Sequence, residues 1–383
     1  MKAIINGRVV MPNEIQVPNG VLENKVLVLG DGKIIDIADV APIDAEVIDA
    51  KGFLVAPGFV DIHIHGSMGA DVMDGTADAI KIISSGIAQY GTTSFLPTTM
   101  TMDRKNIYKS LETVRSLQGK ALVGAEVLGA HLEGPFINVK YKGAQNEAFV
   151  VAPDYDWVHD FSDVIKLITY APEMDPDWVF TKKVKAETDV ILSIGHSDAS
   201  YELAHQAFKY GCSHITHLFN AMTGLHHRDP GIVGAALTHD VFTEVIADKV
   251  HINDHLFQFV LDNKGEDRVI LITDSIRAGC MKEGVYDLGG QAAHVKEGVA
   301  RLADGTLAGS VLTLNQAVCN FYRSTDATLS QAIHMASLNP ATSINISERK
   351  GSLEIGKDAD VILLDDEFNC QLTLVKGTEV YKA

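Results

Sequence analysis

Two histidines one residue apart, His63 and His65, close the apolar run Phe59–Ile64. Side chains alternate along an extended strand, so the two imidazoles are expected on the same face. Glu133 follows a later apolar run, His196, His217 and His251 follow three others, and Asp274 follows another. Imidazole and carboxylate groups meeting in one place suit a divalent cation such as Zn²⁺, Fe²⁺ or Mn²⁺. A His-x-His pair alone is weak, since core and surface histidines produce it often. Joined by a glutamate, further histidines and an aspartate at later strand ends, it becomes a strong signal.

The elements that would position these groups are short apolar runs alternating with helical patterns. Eight runs read as strands: Phe59–Ile64, Thr93–Leu96, Leu128–Leu132, Val164–Thr169, Val190–Ile194, His214–Thr216, Glu244–Ile246 and Val269–Ile272. Between them, Ile80, Ile83, Ile87 and Tyr90 recur at helical spacing before Gly91, and Tyr201 to Tyr210 reads as a second amphipathic helix before Gly211. Eight strands alternating with helices predict an α/β fold, a (β/α)8 TIM-type barrel, whose strand C-terminal ends converge on one face. His63, His65, Thr98, Glu133, Glu173, His196, His217, His251 and Asp274 all fall at or just past such ends. His159, His205, His239, His255, His294 and His334, on helices or loops without strand-end placement, read as satisfied core or surface residues.

Both chain ends differ from this middle. Residues 1–55 hold short apolar runs with turn signals at Asn6-Gly7 and Asp31-Gly32, the strongest short hairpin cues in the chain. From Gly351 onward, Asp360–Leu364 and Leu372–Val375 again read as strands. The expected organisation is a small β-sandwich domain from residues 1–55 plus 350–383, and a metal-dependent barrel over 56–349.

With 383 residues, 46% of them hydrophobic, the chain can bury a large core. Its formal net charge of −18 argues against nucleic-acid or anionic-membrane partners. No apolar run approaches a membrane span, and MKAIINGRVV lacks the apolar core and cleavage site of a signal peptide. Cys212, Cys280, Cys319 and Cys370 are scattered without CxxC spacing, which fits reduced thiols and a cytoplasmic location.

Several motifs go further. APGFVDIHIHG (Ala56–Gly66) resembles the first-strand signature of the amidohydrolase superfamily. HLEGPFIN (His131–Asn138), KGAQN (Lys142–Asn146), SIGHSDAS (Ser193–Ser200), THLFNAM (Thr216–Met222), HHRDPG (His226–Gly231), TDS (Thr273–Ser275) and LAGSVLT (Leu307–Thr313) resemble the N-acetylglucosamine-6-phosphate deacetylase family within it. So do NPA (Asn339–Ala341) and GSLEIGKDADVILLD (Gly351–Asp365), and the resemblance spans essentially the whole chain.

The resemblance implies Glu133, His196 and His217 as principal metal ligands, with His63, His65 and Asp274 completing a second position. One or two ions per subunit are implied, and the intact His-x-His pair tilts the expectation to two. Asp274 is implied as the catalytic acid/base and His251 as a catalytic donor to the substrate carbonyl. Contacts to the sugar phosphate are implied for Ala144, Asn220, Ala221, His251, Leu307, Ala308 and Gly309. His226, His227 and Arg228 form a cationic cluster; on sequence alone a solvated loop is the slightly favoured reading. The resemblance implies instead that Arg228 contacts phosphate across a homodimer or higher-oligomer interface. Two departures stand out: Gln145 where many relatives have histidine, and Lys249 in place of a frequent glycine. The implied reaction is deacetylation of N-acetylglucosamine 6-phosphate. The alternatives are its galactosamine isomer, another amide hydrolysis of this superfamily, and a non-catalytic barrel, which retention of every ligand disfavours.

Overall fold

The computed structural model describes residues 1–12 and 20–383. Both chain ends join in one eight-stranded sheet. Lys2–Val10 pairs antiparallel with Val21–Gly30 and parallel with Glu46–Asp49 and Leu54–Pro57. Leu54–Pro57 then pairs with Val361–Leu364, followed outward by Cys370–Val375 and Thr378–Lys382. Ile4, Leu27 and Leu29 are buried in one cluster while Ala3, Val26 and Val28 are buried in another. The alternation follows from the two-residue period of a strand.

The two hairpin cues part ways. Asp31 and Gly32, with φ of 50° and 75°, make a two-residue turn in which Gly30 faces Lys33. Asn6-Gly7 makes no hairpin: it lies inside Lys2–Val10, where the register with Val21–Gly30 shifts on either side of Gly7. Asn6 has φ 55°, and a Cβ on Gly7 would sit 2.3 Å from Val55 Cγ2. The dipeptide is a bulge that lets a neighbouring strand pass close by.

The middle of the chain forms a curled parallel sheet in two arcs, flanked by helices. One arc runs Phe59–Ile64, Thr92–Pro97, Glu126–Val127; the other runs Ala130–Glu133, Ile165–Tyr170, Ile191–Ile194, Cys212–Ile215, Phe242–Ile246, Val269–Ile272. The expected run Leu128–Leu132 is thus interrupted. Gly129 has φ 149°, and a Cβ there would meet Val164 O at 2.5 Å, so the chain steps from one arc to the next at a glycine. Bridges at Thr98–His131 and Ile64–Ser275 join the arcs at both edges. Buried on both faces, these strands read as continuous apolar runs.

The helices follow their sequence signals. Ala77–Ala88 starts at Thr76, whose side chain accepts from Ala79 N, and buries Ile80, Ile83 and Ile87, each contributing about 1.5–3 kcal/mol. Tyr201–Lys209 starts at Ser200 in the same way. None of the described helices is long and apolar enough to cross a membrane. The four cysteines are free thiols.

Two features were not expected. After Val269–Ile272, three antiparallel strands, Gly284–Leu288, Gln291–Lys296 and Val299–Arg301, form a separate small sheet. Its turns fall at Gly289-Gly290 and Glu297-Gly298, both with positive φ. The second is a buried ionic cluster between the end sheet and the middle. Lys350, only 1% exposed, has Nζ 2.7 Å from Glu126 Oε2 and 3.3 Å from Asp358 Oδ2, and also hydrogen-bonds Asp360.

Candidate metal centre and its cleft

The strand ends deliver six side chains to one point. Glu133 Oε1 lies 3.2 Å from both His196 Nε2 and His217 Nε2, which are themselves 3.1 Å apart. The same oxygen is 3.4 Å from His63 Nε2, and Glu133 Oε2 is 3.3 Å from His65 Nε2. Asp274 Oδ1 is 3.2 Å from His65 Nε2 and 3.5 Å from His63 Nε2. His196, His217 and Asp274 have φ of 49°, 31° and 48°. These residues pay for their placement with left-handed backbone, a strain of about 1–3 kcal/mol each that clusters at functional sites.

What lies behind the imidazoles fixes which nitrogen carries hydrogen. His65 Nδ1 faces Thr98 O at 3.2 Å and His196 Nδ1 faces Tyr141 O at 2.9 Å. A carbonyl only accepts, so each Nδ1 donates, and Nε2 is the nitrogen that turns a bare lone pair inward when the proton leaves the ring. Lone pairs aimed at one another and at a carboxylate repel unless a cation lies between them. Burial lowers the basicity of His65, but hydrogen bonds to Asp274 and Glu133 and their charges raise it to about 9. Burial pushes Glu133 up, yet His63 and the other imidazoles hold it well below the ordinary carboxylate range. The donor set therefore fits a divalent cation. Ligating atoms lie within 4.8 Å of one another in His63/His65/Glu133 and in Glu133/His196/His217, two triplets sharing one carboxylate.

A cleft of about 220 Å³ opens over this centre. Its walls include Glu133, His196, His217, His251 and Asp274. Ala144, Asn220, Ala221, Leu307 and Gly309 line it as well. The unexpected three-stranded sheet contributes Leu288 to the wall, and Gln291 Nε2 donates to Ala144 O at 2.7 Å. Gly309 has φ 56°, and a Cβ there would meet Asp274 O at 2.9 Å, so its close approach is to the strand end that carries Asp274.

His251 reaches the cleft with Nδ1 2.7 Å from Asp248 Oδ2. Burial disfavours its charge, but the Asp248 hydrogen bond and charge leave the imidazole above its ordinary pKa. Lys249 has φ 68°, a backbone state that glycine adopts without strain.

Other expected residues stand apart. Arg228 lies on an exposed loop with Nη1 2.7 Å from His227 Nε2, outside the residues lining the cleft. Ala308 is fully buried beside Ala300, to whose carbonyl its N–H donates. The Asn220 amide turns back to the carbonyls of His217 and Leu218. Glu173 accepts from Asn138, Ser197 and the Asp198 backbone, clamping loops beside the site. Sequence reasoning missed Glu244, which lies 2.9 Å from His63 Nδ1, and the Gln145–Glu133 contact; a buried glutamate inside an apolar strand was the available signal.

Comparison with known proteins accords with this centre. A sequence profile of the amidohydrolase family matches residues 54–380. The chain belongs to this family of metal-dependent hydrolases. It is 40% identical over 370 residues to the N-acetylglucosamine-6-phosphate deacetylase of Bacillus subtilis (strain 168), covering 94% of this chain and 93% of that relative. The crystal structure of N-acetylglucosamine-6-phosphate deacetylase from Pasteurella multocida superposes with a TM-score of 0.93 at 30% identity, covering 99% of each chain. A mutant N-acetyl-D-glucosamine-6-phosphate deacetylase from Mycobacterium smegmatis, in complex with N-acetyl-D-glucosamine-6-phosphate, gives 0.90 at 26% identity, covering 100% of this chain and 99% of that one.

Proposed function

We propose that this protein hydrolyses N-acetylglucosamine 6-phosphate to glucosamine 6-phosphate and acetate. The observation that carries the reading is the convergence of Glu133, His196 and His217 on one point with Asp274 facing the same cleft. Relatives of that activity at 40% identity over nearly the whole chain support the substrate.

Glu133, His196 and His217 would hold one divalent cation. His63, His65 and Asp274, sharing Glu133, would hold a second, with Zn²⁺, Fe²⁺ and Mn²⁺ all compatible with imidazole and carboxylate donors. When bound, such a cation would lower the pKa of a water to about 7 and polarise a carbonyl. Asp274 takes the proton of the attacking water and returns it to the departing amine. His251, whose Nδ1 is held by Asp248 and whose basicity that contact raises, would donate from Nε2 to the developing oxyanion. The backbone at Ala144, Ala221 and Leu307 to Gly309 frames the sugar and its acetyl group.

The phosphate would be held by Arg228 of a second copy in a homodimer, since the loop that carries it is exposed in its own chain. A guanidinium fork suits phosphate. The accompanying architecture is a (β/α)8 barrel over residues 56–349 and a small β-sandwich from 1–55 plus 350–383, of which 13–19 lie outside the described residues. The bridges at both edges of the two arcs support closure of the barrel. A cytoplasmic location fits the free thiols.

Acetate release from metal-supplemented protein tests the proposal, with N-acetylglucosamine 6-phosphate, N-acetylgalactosamine 6-phosphate and unphosphorylated N-acetylglucosamine as substrates. Fast release from the first is expected. Release mainly from the galactose isomer would keep the mechanism and change the sugar. No release from any, with cation bound, would overturn the substrate.

A further inference from the structure

Glu244 sits on the Phe242–Ile246 strand and is fully buried behind the centre. Its Oε2 lies 2.9 Å from His63 Nδ1 and accepts the backbone N–H of His217 at 3.2 Å. Oε1 has no hydrogen-bond partner among the described residues, and His214 Nδ1 lies 3.7 Å from it. Among the described residues its ion pairs are with these two histidines, and no lysine or arginine reaches it. A buried carboxylate so poorly matched is costly unless positive charge lies nearby.

His63 differs from the other inward-facing histidines in what stands behind it. His65 and His196 give Nδ1–H to backbone carbonyls, and His217 Nδ1 has no hydrogen-bond partner among the described residues. Among the described residues, His63 is the one of the four histidines around Glu133 whose Nδ1 faces a carboxylate. The contact requires Nδ1–H, so Nε2 is the nitrogen that becomes bare when the ring is neutral; that atom has no hydrogen-bond partner among the described residues and lies 3.4 Å from Glu133 and 3.5 Å from Asp274. A carboxylate behind a ligating imidazole fixes its tautomer and orientation and raises its basicity. Charge points the same way. Glu133, Asp274 and Glu244 bring three negative charges to one buried region, more than a single divalent cation neutralises.

We propose that Glu244 is a positioning residue for a second cation. It holds His63 with Nε2 bare and supplies the charge that lets the His63/His65 side of the centre fill. The inference rests on the metal-centre reading above.

Glu244→Gln and Glu244→Leu separate the two contributions. Glutamine can still accept from His63 Nδ1–H and His217 N–H but carries no charge; leucine does neither. Metal-free wild type and variants would be titrated with Mn²⁺, following bound metal and the spin-coupled electron paramagnetic resonance signal of a close manganese pair. Far-UV circular dichroism of each metal-free protein would report folding. The wild type is expected to bind two equivalents and give the coupled signal. In Glu244→Gln the second equivalent should weaken about 10- to 100-fold, the size usual for loss of such an outer contact, with the first within about 3-fold. Glu244→Leu should lose the coupled signal, and if it does not fold the glutamine variant alone decides. Two equivalents of unchanged affinity in a folded variant would overturn the role of Glu244. A single equivalent in the wild type would overturn it too, leaving the Glu133/His196/His217 position intact. No uptake by the wild type would instead sink the metal-centre reading on which the inference stands.

Discussion

Gln145 holds Glu133 in place: its Nε2 donates to Glu133 Oε2 at 2.7 Å, while its Oε1 accepts the N–H of Thr101 at 2.8 Å. The Thr101 donor fixes which end of the amide is oxygen, so the NH₂ group must face the carboxylate. With Oε2 engaged, Oε1 is left to His196 and His217. Gln145→Leu should weaken binding of the first cation about 10- to 100-fold, as loss of an outer-shell partner does. It should also cost about 1–3 kcal/mol of metal-free stability, because the buried Thr101 N–H loses its acceptor. Equilibrium dialysis against Zn²⁺ and thermal unfolding of the metal-free protein measure the two effects separately. Unchanged zinc affinity would mean that Glu133 is positioned without it.

Asp274→Asn tests the proton-transfer role. Asparagine keeps the shape and one oxygen but cannot accept the water's proton. Turnover should fall about 10²- to 10⁴-fold, the usual contribution of general acid–base catalysis. Cation at the Glu133/His196/His217 position should remain, since Asp274 contacts only His63 and His65 among these ligands. Turnover near that of the wild type would refute the assignment.

Arg228→Ala tests the phosphate assignment. Because Arg228 lies outside the cleft of its own chain, its influence should require a second copy. The Michaelis constant for N-acetylglucosamine 6-phosphate should rise at least about tenfold, the scale of one charge-assisted pair worth about 1.5–3 kcal/mol. That for unphosphorylated N-acetylglucosamine should barely move. Equal effects on both substrates would point to a role in the fold of the loop.

What was legible in the sequence was what single chains of residues dictate locally. Alternating apolar runs and helical spacings gave the parallel strands, and strand-end placement gathered Glu133, His196, His217 and Asp274 before any contact was known. Asn6-Gly7 misled because a positive φ serves a bulge as well as a hairpin, and only the close passage of Val55 distinguishes them. Gly129 broke a strand for the same kind of reason, the nearness of Val164 O. The sheet at Gly284–Arg301 was not read from the sequence: only its turns at Gly289-Gly290 and Glu297-Gly298 are local signals, and its docking on Ala144 depends on a residue more than a hundred positions away. Glu244 and Gln145 were silent because their importance lies wholly in what they face.

Lys350 tests the join between the two parts of the molecule. Lys350→Met leaves Glu126, Asp358 and Asp360 short of their most buried cation, although Arg349 and Lys376 still reach Glu126 and Lys33 still reaches Asp358. Breaking a buried pair typically costs about 3–5 kcal/mol, and the remaining cations favour the lower end. The pH dependence carries the sign. Burial pushes Glu126 and Asp358 up, but Lys350 and Arg349 beside Glu126, and Lys33 with Lys350 and Arg349 beside Asp358, hold both below their ordinary values of 4.5 and 3.8. A carboxylate lowered on folding contributes stability that is complete above its unfolded value and lost as pH falls through its folded value. Asp360, raised by burial, works in the opposite sense and favours the fold as it takes up a proton. Without Lys350 the carboxylates protonate more easily in the folded state, so the deficit of Lys350→Met should be largest near pH 7 and shrink below about pH 4.5. Urea unfolding of both proteins at pH 7 and pH 4 measures it. A deficit that stayed constant across that range would mean the methionine costs packing rather than charge.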